Sequence, residues 1–407
     1  MDIRQELIDR FFRYAAIESQ SNGRALGLPS SPGQAALAAL LAEEMRALGL
    51  ADVVVDAHAI VTGVKRGNRP DAPTIGFIAH LDTVDVGLSP FIRPQILRFD
   101  GKDLCLNAKE DIWLRVAEHP EILGWKGEDI IVGDGTSVLG ADNKAAIAVI
   151  MTLLARLDQQ TLGDVFVAFV PDEEIGLRGA KALDLARFPC DFAYTIDCCE
   201  LGEVVLETFN AASAEIVFTG VSAHPMSAKG TLVNPLTMAI DFIAHFDRED
   251  TPECTADRQG FFWFKDLVAN DSEATLTCLI RDFVTDGFNQ RKRRIAEVAE
   301  RIRSSYPSGN VRHQVTDTYR NIATSLQHDD RAVSLLFDVM DELGINKKLM
   351  PMRGGTDGAV LSARGIPTPN FFTGACNFHS RYEFLPIPAF EKSLEVAMGI
   401  CRLAAKG

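Results

Sequence analysis

Thr74-Ile75-Gly76-Phe77-Ile78-Ala79 runs without a polar break into His80-Leu81-Asp82. A run this apolar, with no alternation, predicts a strand buried on both faces, as in parallel sheets covered by helices. Asp164 to Val170 (Asp-Val-Phe-Val-Ala-Phe-Val) repeats the pattern and leads into Asp172-Glu173-Glu174, and Phe192-Ala193-Tyr194-Thr195-Ile196 leads into Asp197. Val53-Val54-Val55 reads as a further strand. Between the strands the spacing is helical: Ile3, Leu7, Phe11 and Ala15, then Ala36, Leu40, Met45 and Leu48 ending at Gly49, then Ala145 to Leu157. Strands alternating with helices predict an α/β sandwich around a largely parallel sheet. Such sheets bind ligands at the carboxyl ends of their strands. His80, Asp172-Glu173-Glu174 and Asp197 all fall there.

The rhythm changes near residue 211. The pattern gives strand 214–221, helix 231–246, strands 260–269 and 274–283, helix 285–305 and strand 310–319. This β-α-β-β-α-β order is the split ferredoxin-like unit. Helix 330–343, the strand around Leu349-Met350-Pro351-Met352, the stretch Ile366 to Phe372 and a helix over 387–404 then resume the first pattern. The division expected is 1–210 and 322–407 for the larger domain, with 211–321 inserted into it.

With 407 residues the chain suits two domains, at roughly 150 residues each. An apolar content of 47%, 24% charged residues and a net charge of -15 describe a globular, acidic protein. That charge argues against nucleic acid or an anionic membrane as partner. Arg291-Lys292-Arg293-Arg294 fits a solvated helix face, because Ile295, Val298, Ala299 and Ile302 supply the apolar stripe. The first residues show no apolar signal region, no run is long enough to cross a bilayer, and none of the eight cysteines forms a CxxC pair. A cytoplasmic protein with reduced thiols is the expectation.

Several residues carry possible chemistry. His80 and Asp82, two apart on an extended chain, share a face, so a carboxylate can orient a metal-bound imidazole. Asp142 reads equally as a helix N-cap or as a carboxylate bridging two cations. Gly133-Asp134-Gly135-Thr136-Ser137 lacks the ending of a phosphate loop. Glu173 and Glu174 end a buried strand, where paired acids are costly without cations. Glu174 is expected as a ligand, and Glu173 as the base that takes a proton from activated water and delivers it to a leaving amine. With Asp197 and His379 the set becomes two imidazoles and three carboxylates, suited to two zinc ions, with manganese or cobalt as alternatives. His224, Asn234, Arg281 and Arg353 are the candidates for substrate binding. An Arg can grip a carboxylate and a His donor can stabilise an oxyanion.

Taken in order, these stretches resemble the peptidase T family of tripeptide aminopeptidases. The likeness is carried by Gly76 to Thr83, Leu139-Gly140-Ala141-Asp142-Asn143-Lys144-Ala145, Phe169 to Gly176 and Ala193 to Asp197. It continues through Phe209-Asn210-Ala211-Ala212-Ser213, Ile280-Arg281-Asp282-Phe283 and Arg353-Gly354-Gly355-Thr356-Asp357-Gly358-Ala359. The resemblance implies a zinc-exopeptidase-like three-layer sandwich with an inserted ferredoxin-like lid and dimerisation domain. It implies one ion on His80, Asp142 and Asp197 and another on Asp142, Glu174 and His379, with Asp82 orienting His80. It also implies a cis peptide bond at Asp142–Asn143 and a homodimer in which His224 reaches the neighbouring active site. Cys198-Cys199, Asn143 and Ala375-Cys376 depart from the family pattern of two glycines, Asp and Gly-Tyr. Rival readings are a carboxypeptidase or N-acyl amino-acid amidohydrolase of the same superfamily, and a non-catalytic metal- or peptide-binding protein.

Overall fold

A computed structural model describes residues 2–157 and 162–406. The chain forms two compact units, the first comprising 1–206, 322–350 and 356–407, the second 207–321 and 351–355.

The first unit is built on a mixed eight-stranded sheet. Its centre is Val165–Val170, Ile75–His80, Phe192–Cys198 and Asn370–Phe372, paired in parallel in that order. Antiparallel pairings begin outside this centre, with Val61–Lys65 against Val165–Val170 on one side and Glu203–Thr208 against Asn370–Phe372 on the other. Each residue of Ile75–His80 and Val165–Val170 is buried. Alternate side chains serve opposite faces: Ile78, Ala168 and Ala193 join a cluster with Leu361 and Phe188, while Phe77 meets the ring of Tyr194 at 5.8 Å. Helix Ala141–Arg156 packs on the central strands and is itself covered by Ile3–Ala15 and Ile387–Ala404, whereas Asp357–Ala363 packs on Ile75–His80 and Phe192–Cys198 through the Leu361 cluster. Three layers result. Gly76 permits close packing within them, since a Cβ there would lie 2.5 Å from Phe188 Cζ and 2.6 Å from Cys190 Sγ.

A small antiparallel sheet of Gln95–Arg98, Asp129–Val132 and Phe384–Pro386 has no counterpart in the sequence expectation. Its strands are only three or four residues long, too short for a periodic signal.

The second unit has strands Asn210–Thr219, Phe261–Ala269, Glu273–Asp282 and Asn310–Tyr319, with helices Pro235–Ile243 and Thr285–Ser305. The all-antiparallel order is Phe261–Ala269, Glu273–Asp282, Asn210–Thr219, Asn310–Tyr319, the ferredoxin-like arrangement. Met238 and Phe242 from one helix and Ile295, Val298 and Ile302 from the other close its core over Ile216, Phe218, Leu276 and Ile280. The first helix starts later than its apolar spacing suggests. Asn234 caps it by accepting the Leu236 N–H, and Pro235, which has no N–H to donate, takes its first position.

Candidate metal centre

The ends of the central strands deliver the acidic and imidazole groups to one place. His80 closes its strand, with Nε2 3.0 Å from Asp142 Oδ1 and 3.7 Å from Asp197 Oδ1. Asp197 lies in the neighbouring strand, where its backbone N–H donates to Asn370 Oδ1 at 2.8 Å. Asp142 turns its other oxygen to His379, with Oδ2 2.9 Å from Nε2. Glu174 Oε1 lies 2.9 Å from that same nitrogen but makes no hydrogen bond. Two groups of converging atoms follow, His80–Asp142–Asp197 and Asp142–Glu174–His379, with the atoms of each within 4.8 Å of one another. Asp142 belongs to both.

Asp142 caps no helix. The residue before helix Ala141–Arg156 is Gly140 at φ +71°, Asp142 and Asn143 have non-helical dihedrals, and the Asp142–Asn143 peptide is cis. Glu383, buried and beside the short strand Phe384–Pro386, accepts the N–H groups of Gly140 at 2.8 Å and Asp142 at 3.1 Å. Asp82 is buried as well. Its Oδ1 is 3.4 Å from His80 Nδ1, which meets the Asp82 carbonyl more closely at 3.0 Å. Its carboxylate instead receives the backbone N–H groups of Glu173 at 3.0 Å and Glu174 at 3.2 Å. Asp172 pins the other side of that turn by accepting from the Ser30 N–H and from Gln34 Nε2. The loop bearing His379 is tied through Asn377 Nδ2, which donates to Glu121 Oε1 at 2.7 Å.

Electrostatics explain what this arrangement demands. Burial, joined by the charge of Asp142, pushes Glu174 up to about 7 and Asp197 up to about 6. Burial also raises Glu173 well above the usual carboxylate range, reinforced by Asp197, Asp357 and Glu174. Asp142 alone is depressed: burial opposes its ionisation, but hydrogen bonds from His379 and His80 prevail. Carboxylates crowded like this are destabilising unless cations accompany them. Each group offers an imidazole and two carboxylates, a donor set that fits zinc, manganese or cobalt. One His379 proton cannot satisfy both oxygens that lie 2.9 Å from its nitrogen, whereas a cation serves both. Among the described residues, neither group includes a cysteine. Burial pushes the Cys198 and Cys199 thiols up, keeping them protonated.

The four substrate-binding candidates lie in the second unit. His224 is exposed, and its Nδ1 accepts the Met226 N–H, which leaves Nε2 as the donor of a neutral ring. Asn234 caps its helix. Arg281 donates to the carbonyls of Ala212 and Ile280 and stands over the Tyr319 ring. Arg353 donates to the carbonyls of Asp257 and Gln259 and to Thr255 Oγ1, against the rings of Phe209 and Phe261. Glu383 escaped the sequence reading, because a lone acid in a loop resembles any surface residue until its burial is known.

A three-layer α/β sandwich with two carboxylate–imidazole groups at its strand ends is the frame of a dinuclear metallohydrolase. The chain belongs to peptidase family M20/M25/M40, whose model matches residues 132–402. It is 80% identical to a peptidase T-like protein of Rhizobium meliloti over the full length of both chains. It is also 39% identical to peptidase T of a Geobacillus species, covering 98% of this chain and 99% of that one. Among solved structures, a Staphylococcus aureus tripeptidase superposes with TM-score 0.77 at 21% identity, and aminopeptidase PepT of Bacillus cereus with 0.74 at 21%, each over 99% of both chains. These two share the fold.

Proposed function

We propose that this chain is a dinuclear-metal aminopeptidase that releases the N-terminal residue from tripeptides. The observation that carries the reading is the double engagement of Asp142, whose two oxygens face His80 and His379 separately. His80, Asp142 and Asp197 would hold one ion and Asp142, Glu174 and His379 the other, with zinc the first choice. Such a pair supplies Lewis acidity at the scissile carbonyl and makes water a better nucleophile. Glu173 is the proton carrier. Its carboxylate takes a proton from water and gives it to the departing amine. A raised pKa suits a group that must keep the proton between the two transfers. Asp82 acts through Glu173 and Glu174 by fixing their backbone.

The second unit is proposed as the lid and dimerisation element, with His224 Nε2 as a donor to a substrate carbonyl and Asn234 and Arg281 bordering the substrate. Reduced cysteines, together with the lack among the described residues of a helix long and apolar enough to cross a membrane, support a cytoplasmic place.

Glu173→Ala tests the assignment. Metal content should stay near that of the parent while turnover on a tripeptide falls by about 1000-fold or more. Retained turnover after loss of the metal would overturn it.

A further inference from the structure

Asp357 is a carboxylate without an assignment. It opens the short helix Asp357–Ala363, only 2% exposed, and neither metal group includes it. Its Oδ1 is buried without a hydrogen-bond partner, as is Oγ1 of the adjacent Thr356. Two neighbouring acceptors are thus withdrawn from water with nothing to bind, an arrangement that costs free energy in the empty protein. Asp357 also belongs electrostatically to the centre. Its charge acts on Glu173, and His80, Asp197, Asp82 and Glu174 act on it in turn.

Among the described residues no lysine or arginine pairs with Asp357, and the buried Lys144 donates its Nζ to the Ile17 carbonyl. The metal groups do not include it either. The two metal groups engage Asp142, Glu174 and Asp197 and leave Asp357 over, with its buried Oδ1 unpartnered. The substrate of an aminopeptidase brings a cation in its free amino terminus, whose ammonium carries three donors for fixed acceptors.

We propose that Asp357 receives the α-ammonium group of the peptide, and so makes a free amino terminus the condition for cleavage. The inference rests on the aminopeptidase reading above. It gives Asp357 a substrate-binding role distinct from metal ligation and from proton transfer by Glu173.

The test compares trialanine with N-acetyl-trialanine on the metal-loaded parent and on Asp357→Asn, with metal content and the unfolding midpoint measured on both proteins. The parent should strongly prefer trialanine. Asp357→Asn should lose about 100-fold in kcat/KM on trialanine, mostly through KM, and leave the acetylated peptide unaffected. Its metal content should stay the same. An unchanged preference in a metal-replete variant overturns the role of Asp357 alone. A parent that cleaves the acetylated peptide as fast overturns the aminopeptidase reading, and this inference with it. If Asp357→Asn folds poorly, Asp357→Ser gives the same comparison; loss of metal in both variants would place Asp357 in the metal machinery and overturn the proposal.

Discussion

Asp82 Oδ1 accepts the backbone N–H of Glu173 at 3.0 Å, so the carboxylate beside one imidazole also fixes the turn that carries Glu173. Its other oxygen holds the N–H of Glu174 at 3.2 Å. Asp82→Asn breaks this symmetry, since an amide has one acceptor oxygen for two donors. Turnover should fall about 10- to 100-fold with the fold preserved, the usual cost of losing a group that orients ligands. Steady-state kinetics with metal analysis checks it, and an unchanged kcat/KM would mean the turn holds by itself.

Glu383 does for Asp142 what Asp82 does for Glu173. It gathers the N–H groups of Gly140 and Asp142, on either side of the backbone that precedes the cis peptide. Glu383→Gln can keep only one of these bonds through its single oxygen. Metal affinity should weaken about 10- to 100-fold, read by competition with a chelator while circular dichroism stays unchanged.

How much of this was legible in the sequence depended on local periodicity. The run Ile75–His80 announced its burial on both faces, and the helices Thr285–Ser305 and Ile387–Ala404 match their expected bounds, because amphipathic spacing is a local property. The residues that converge at strand ends were readable for the same reason, since a buried strand followed by acids must place them at the sheet's edge. Glu383 was not, nor was the part that Asp172 plays. Their importance comes from burial and from backbone donors more than 130 residues away, Gly140 for the first and Ser30 for the second. Arg353 shows the reverse case. A guanidinium in a glycine-rich loop suggests a carboxylate clamp, and no local pattern reveals the carbonyls of Asp257 and Gln259 and the Thr255 hydroxyl that it also meets.

Removal of the metals should make stability depend on pH. In the metal-free protein Glu174 is raised to about 7, Asp197 to about 6 and Asp357 to about 8, each first by burial. Unfolded, such carboxyls titrate near about 4. Below that pH they are protonated in both states and cost nothing. As pH climbs through the folded values, the native state must carry charges that the unfolded chain carries freely, so stability is lost. Chelator-treated protein should therefore show an unfolding midpoint that falls between about pH 4 and pH 8. The metal-loaded protein should hold its midpoint across the upper part of that window, because cations stabilise the ionised ligands. Equal slopes for the two forms in thermal scans would contradict a cation-bound cluster.

Arg353→Lys separates a structural from a substrate-gripping guanidinium. Arg353 Nη1 donates to the carbonyls of Asp257 at 3.1 Å and Gln259 at 2.9 Å, and Nη2 reaches Thr255 Oγ1 at 2.7 Å. The planar group also lies 5.3 Å from the Phe209 ring centre and 5.4 Å from that of Phe261. A lysine ammonium has neither the fork that serves three acceptors nor the flat face that stacks on an aromatic ring. The variant should lose roughly 1–3 kcal/mol of stability in urea denaturation, the range for hydrogen bonds to charged groups. With Nη1 and Nη2 both engaged inside the second unit, the arginine has fewer donors left for a ligand. Turnover per folded molecule should then change by less than about threefold, below the loss expected from breaking a bidentate carboxylate contact. A 100-fold fall in kcat/KM with stability intact would return Arg353 to the substrate.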